Sequence, residues 1–376
     1  MAVPVTSPIP LFPPPPSINF TEDPRLKSAL ATARDELKAA RSGATPPFRL
    51  AIIDLIGGSP LKWGGHEPDT MDFIASEAKV IALYGAFALR DMVRRFANFR
   101  KVRNFLAAAG STSGAAKPAA KPAKSDTLFH ALRAEIDPAI LAVAHPLLQT
   151  TKRSERLPIY ERMFVAPHNG IPDFTGQYKN WLRAMIVPSS NSGAMECIHG
   201  IGYAYLHGAM KEAQLFAKDV GPWLAGDFMG NYTYARTDLK NDQGVAQAGT
   251  ALSMAKLMAI IVRHAVVLDG DAFKHMEVLL HDAVDGPDTP FLTRSQPDFT
   301  SDTLRIPRKK ITHIKLGFGY LKNSNGGQAV GSEVWRLEGL LKPDRVYAVA
   351  FQNLDWTKTS SEDLAFMIRR AIEIYE

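Results

Sequence analysis

An α/β (α+β) fold, with one antiparallel sheet flanked by helices and joined to a mainly helical lobe, is predicted by three features of the 376-residue sequence. Strand formers are concentrated near the two ends of the chain, at 48–56 and 61–64 and again at 311–321, 329–339 and 345–354. The stretch 126–260 between them carries apolar residues at helical spacing, broken by Gly, Pro and Asn at 167–173, 188–193 and 221–231. A helical pattern closes the chain over 361–375. Strands at both ends of a helical middle imply that the ends share one sheet while the middle folds apart. The cleft between two such lobes is the natural place for a site.

Residues 1–22 are rich in proline, with Pro13 to Pro16 in a row, and proline lacks the donor a core element needs, so an extended arm is expected. A helix follows over 26–40. The run FRLAIIDLI at 48–56, the Gly57-Gly58 turn and the short run after it predict a hairpin. A long helix is expected over 76–96. Residues 107–124, AAAGSTSGAAKPAAKPAK, are of low complexity with too little bulk to bury, which predicts a flexible insertion at about 107–125. A glycine turn at Gly326-Gly327 separates the first two late strands. The domains are then the arm at 1–22, an α/β lobe from 23–75 and 245–376, and a helical lobe over 76–244.

Composition narrows the function classes. Hydrophobic residues at 46% and charged residues at 22% exclude a largely disordered, collagen-like or coiled-coil chain. A net charge of +6 tolerates anionic partners without demanding nucleic acid. Arg94, Arg95, Arg100, Lys101 and Arg103, interleaved with Phe96 and Phe99, could meet phosphates and bases, but read more simply as a solvated helix end. Cys197 stands alone, so there is no disulfide framework or multi-cysteine metal site, and it reads as a small buried hydrophobe. No His-Glu-x-x-His occurs, and neither a metal nor an organic cofactor is expected. The apolar runs stop at Arg90 and Arg263, short of a bilayer span. The first residues lack a basic region followed by an unbroken apolar run, so no signal peptide is visible and the chain as written reads as cytoplasmic.

The chemistry concentrates in three short motifs. In Ser76-Glu77-Ala78-Lys79 a serine lies one helical turn from a lysine, so the amine can reach the hydroxyl and take its proton. The serine N–H also lies at the positive end of the helix, where developing negative charge is favoured. Ser253-Met-Ala-Lys256 repeats the spacing inside an apolar helical run and reads as packing. Ser189-Ser190-Asn191 falls at a break between two apolar segments, where cap residues are usual. Lys315-Leu316-Gly317 falls in the first late strand, where a glycine lets a substrate backbone lie close.

Ser-x-x-Lys, Ser-x-Asn and Lys-x-Gly, in that order and on helix, loop and strand, resemble the signature of penicillin-recognising serine hydrolases, the class A β-lactamases and DD-peptidases. The resemblance covers roughly residues 45–376. It implies the β-lactamase/DD-peptidase-like fold, with Ser76 as nucleophile and Lys79 as its general base. Ser189 would pass a proton to the leaving group, Asn191 would bind substrate amide and Lys79, and Lys315 would hold Ser189 and a substrate carboxylate. The oxyanion hole would be the N–H groups of Ser76 and Phe318, with Lys315, Leu316 and Gly317 along the bound substrate.

Three departures qualify what the resemblance implies. No Glu-x-x-x-Asn follows Asn191; Asp227-Phe228-Met229-Gly230-Asn231 takes its place, with Asp227 either holding the deacylating water or serving as a turn residue. Leu316 replaces a hydroxyl residue, and no arginine occurs in 320–334. Both losses weaken carboxylate recognition. The expected activity is hydrolysis through acyl-Ser76 of an amide, ester or β-lactam-like substrate, small or peptide-like. The alternative is a non-hydrolytic penicillin-binding or structural protein that keeps the fold. Relatives of this kind are usually exported.

Overall fold

The computed structural model describes residues 7–41, 48–110, 126–148, 156–166, 170–217, 220–229, 246–286, 306–323, 326–355 and 358–376. Strand β1 (Phe20–Glu22) leads into helix α1 (Pro24–Ala40), which Asp23 caps by accepting from the Arg25 N–H at 2.8 Å. Leu26, Ala29, Leu30, Ala33 and Leu37 form its buried stripe. The expected hairpin is β2 (Arg49–Asp54) and β3 (Leu61–His66), and β4 (Asp72–Phe73) follows.

The middle of the chain is mainly helical, with α2 (Lys79–Gly110), α3 (Asp126–Glu135), α4 (Asp137–Ala142), α5 (Tyr160–Met163), α6 (Gly176–Ile186), α7 (Asn191–Ile201) and α8 (Tyr203–Glu212). Short strands β5 (Phe164–Val165), β6 (Asp173–Phe174), β7 (Trp223–Leu224) and β8 (Gln247–Gly249) form two small sheets, β5-β6 and β4-β8-β7. The chain then forms α9 (Ala251–Val262), α10 (Ala272–Asp282), β9 (Ile311–Asn323), β10 (Gly326–Glu338), β11 (Val346–Asp355) and α11 (Lys358–Tyr375).

The two ends of the chain do share one sheet, in the order β1-β3-β2-β11-β10-β9. Its pairs are antiparallel except β1 with β3, where Phe20 lies opposite Leu61. Residues 50–54 and 347–352 are buried without alternation, so both faces of the central strands are covered. Helix α9 packs on β2, β10 and β11, while α1 and α11 pack on each other and against β3 and β11. An extra residue in β11 makes a bulge opposite Gly331 and Glu333, and Asn353 absorbs it at φ +55°.

Helix α9 is buried on nearly all sides, and Ser253 completes a reciprocal capping box with Thr250. Lys256 lies over the Phe20 ring at 5.4 Å, so this second Ser-x-x-Lys is part of the packing. Helix α2 starts later and runs farther than the sequence suggests. Residues 107–110, assigned to the insertion, continue it, and 111–125 lie outside the described residues. Gly326 and Gly327 begin β10 rather than form the turn.

The basic run of α2 is paired as well as solvated: Arg94, Arg95 and Arg100 are half-buried, and from Lys101 to Leu106 the helix is exposed, as expected of a solvated helix end. Arg94 reaches Asp173 and Asp269, both at 3.0 Å, and Arg103 meets Glu135 at 3.3 Å. One turn earlier, buried Arg90 contacts Asp269 at 2.6 Å, Asp271 at 2.5 Å and Asp173 at 3.3 Å. Burial outweighs the neighbouring arginines at Asp269, whose carboxyl is pushed up to about 6.

The proline-rich arm lies on the body. The Tyr205 hydroxyl donates to the Leu11 carbonyl at 3.1 Å and Arg95 to that of Pro10 at 2.9 Å. The Phe12 ring occupies the space beside Gly208, where a Cβ would come within 2.2 Å of it. Farther along, the Ser17 N–H donates to the Ala265 carbonyl at 2.6 Å, and Phe20 enters the sheet as the start of β1.

Candidate active site

Ser76 stands on a 3-10 turn, Ala75–Ala78, between β4 and α2, one element earlier than the helix start expected for it. The small sheet β4-β8-β7 anchors the approach, with the Ile74 N–H donating to the Gln247 carbonyl at 3.1 Å. The Glu77 N–H then donates to the Ile74 carbonyl at 3.0 Å, and the Lys79 N–H donates back to the Ser76 carbonyl. Ala75 takes φ +44° to make this corner. A left-handed alanine costs about 1–2 kcal/mol, which the surrounding packing must offset. Ser76 is half-buried at the resulting bend.

The second motif forms the link between α6 and α7. Ser190 caps α7, its hydroxyl accepting from the Gly193 N–H at 3.1 Å, so Asn191 is the first residue of that helix. Ser189 precedes the cap at φ +54°. This places the side chains of 189 and 191 on one polar corner facing the start of α2.

The third motif lies on β9, where Gly317 pairs with Ser332 of β10. A Cβ on Gly317 would come within 2.3 Å of the Ile74 carbonyl, 2.4 Å of Ser332 Oγ and 2.7 Å of the Glu77 nitrogen. The glycine is therefore required by the serine's own turn, which packs against the strand. Ser332 ties the two together by donating to the Ile74 carbonyl at 2.8 Å. Leu316 is buried in the core, while Phe318 is 39% exposed at the strand edge.

Four of the six catalytic candidates meet directly. Lys79 Nζ donates to the Ser189 carbonyl at 2.5 Å, to Asn191 Oδ1 at 2.9 Å and to Ser189 Oγ at 3.2 Å. Lys315 Nζ donates to the same Ser189 Oγ at 2.7 Å. Both lysines are essentially without solvent exposure. Two buried lysine amines thus converge on the Ser189 hydroxyl, an arrangement costly to bury unless its hydrogen bonds are filled.

Asp227 is buried on the turn that carries Phe228. Its carboxylate accepts from the Met229 N–H at 2.9 Å and faces His199 Nε2 at 3.3 Å, while Asn231 lies outside the described residues. The next residue, Phe228, sits at φ +65° and places its ring 4.9 Å from Lys79 Nζ. Nothing in the local sequence distinguished Phe228 from an ordinary core aromatic.

Glu77, inside the first motif, is a second residue at the site that the motif spacing does not mark. It is fully buried beside Ser332, Glu333 and Lys315. Neither of its oxygens has a well-formed hydrogen bond among the described residues, since the Ser332 hydroxyl is directed at Ile74. Burial drives its carboxyl well above the usual range, Glu333 adds to the shift, and Lys315 with Ser332 opposes it. Among the described residues no group of three or more His, Cys, Asp or Glu could hold a metal ion, and no helix is long and apolar enough to cross a membrane. Cys197 is buried on α7, its thiol driven upward by desolvation.

No protein-family model matches the sequence, and no curated protein matches it significantly. Solved structures do. That of the TLA-3 extended-spectrum β-lactamase superposes with a TM-score of 0.50 at 8% identity, over 92% of this chain and 100% of that one. A β-lactamase from Streptosporangium roseum gives 0.46 at 15% identity, over 92% and 99%. At these identities the likeness speaks to the fold: the chain has the β-lactamase-like architecture, a mixed α/β body with a sheet flanked by helices.

Proposed function

We propose that this protein is a serine hydrolase acting through an acyl-Ser76 intermediate. The observation that carries the reading is the meeting of Lys79, Ser189, Asn191 and Lys315 within hydrogen-bonding distance, beside the turn that holds Ser76. In the reaction Ser76 Oγ attacks a carbonyl carbon while Lys79 takes its proton. The proton passes through Ser189 to the leaving nitrogen or oxygen, whose bond to the acyl carbon breaks. The N–H groups of Ser76 and Phe318 would receive the oxyanion, and Lys315 keeps the Ser189 hydroxyl oriented.

The substrate class is an amide, an ester or a β-lactam-like ring. Buried Leu316 offers no hydroxyl, and the absence of arginine from 320–334 favours substrates recognised without a carboxylate clamp. A fluorescent penicillin and a fluorophosphonate, each followed by intact-mass measurement of wild type and Ser76→Ala, test the proposal. A Ser76-dependent adduct with either probe is expected. No such adduct with either would overturn the reading.

A further inference from the structure

We propose that Phe228 acts as a water shield that makes the acyl-Ser76 intermediate long-lived, with Asp227 and His199 holding that shield in place. The inference rests on the acyl-enzyme reading above and adds what happens after acylation. Hydrolysis requires a water oxygen to bond to the acyl carbon as the carbon–Oγ bond breaks. One water proton must pass to a base, and Ser76 Oγ must regain a proton as the carboxylic acid leaves. The water therefore needs a polar acceptor close to the serine.

On the side of the 226–229 turn, the group presented to Lys79 is a phenyl ring, 4.9 Å from Nζ. The one carboxylate of the turn, Asp227, is 1% exposed and directed at the Met229 N–H and His199. Phe228 holds this position in a left-handed conformation that a bulky side chain adopts only under constraint. The Asp227 contacts, on the residue immediately before it, supply that constraint. Lys79 keeps its hydrogen bonds to Ser189 and Asn191 beside the ring, so on this proposal acylation proceeds while the ring hinders the approach of water.

The test compares Phe228→Gly, which suits the positive φ, and Phe228→Leu with wild type, using intact mass to follow formation and loss of the penicillin or fluorophosphonate adduct. Penicillin-adduct loss is expected to accelerate at least tenfold in Phe228→Gly, with the rate of adduct formation changed less than threefold. A merely structural role would slow both steps together. Asp227→Asn gives an opposite-signed check: loosening the shield shortens the adduct lifetime, whereas a water-holding Asp227 would lengthen it. An unchanged lifetime in Phe228→Gly, with acylation preserved, overturns the shield alone. Absence of any Ser76 adduct in wild type overturns both the shield and the reading beneath it.

Discussion

Ser189 Oγ accepts hydrogen bonds from two lysines supplied by different parts of the fold, Lys315 of β9 at 2.7 Å and Lys79 of α2 at 3.2 Å. This one hydroxyl joins strand β9 and helix α2 to the link between α6 and α7. Ser189→Ala leaves Lys79 its contacts to the 189 carbonyl and Asn191 but removes the group shared with Lys315. Losing a positioned proton-transfer group lowers rates by about 10²–10⁴-fold. Adduct formation at Ser76 should slow to that degree; a rate within threefold of wild type would remove Ser189 from the proton path.

Gly317→Ala should damage both stability and acylation. The added Cβ meets the Ile74 carbonyl, Ser332 Oγ and the Glu77 nitrogen, two of them backbone atoms that cannot swing aside. Forced overpacking costs about 1–3 kcal/mol. Urea denaturation should show a lower midpoint at unchanged slope, and the variant should acylate more slowly even when fully folded. Wild-type stability in Gly317→Ala would contradict the packing described here.

Glu77 makes stability depend on pH in a defined direction. Its carboxyl is raised above the ordinary 4.5, so its contribution is fully present below that value and is lost as pH climbs through the folded-state value. Glu77→Gln stays neutral throughout. The wild type should weaken relative to this variant as pH rises from 5 to 8, by at most about 1.4 kcal/mol per pH unit. Parallel stability curves for the two proteins across that interval would show that Glu77 does not titrate in it.

Arg90 is buried at the centre of an ion network whose carboxylates, on Asp173, Asp269 and Asp271, are partly exposed, and its loss leaves them to Arg94. Arg90→Met should destabilise the protein by about 1.5–3 kcal/mol, since each carboxylate loses a charged hydrogen-bond partner but keeps solvent and Arg94. Thermal or urea unfolding measures this directly. A loss below 1 kcal/mol would mean that Arg94, which also reaches Asp269 at 3.0 Å, suffices alone.

Much of the sheet was readable from the sequence because β2, β9 and β11 carry dense apolar, β-branched or aromatic runs, and β3 follows β2 across the Gly57-Gly58 turn. The late strands and closing helix fell within a few residues of their expected limits. β1 was hidden in the proline-rich arm: three residues pair with β3 through backbone contacts that no side-chain pattern announces. The contacts of Lys79 with Asn191 and of Lys315 with Ser189 are ones that the family resemblance of the three motifs implies. Those of Glu77, Phe228 and Arg90 are not, because their burial and neighbours arise from segments more than 80 residues apart in sequence, such as Arg90 and Asp173. Local spacing carries no trace of such meetings.

The arm also works as a tie. Phe12 is seated on α8, Ser17 is bonded just past the end of α9, and Phe20 is stitched to the sheet edge. One short, proline-stiffened length of chain is thereby fastened at three points. Thirteen residues from 8 to 20 therefore splint elements drawn from three distant parts of the sequence.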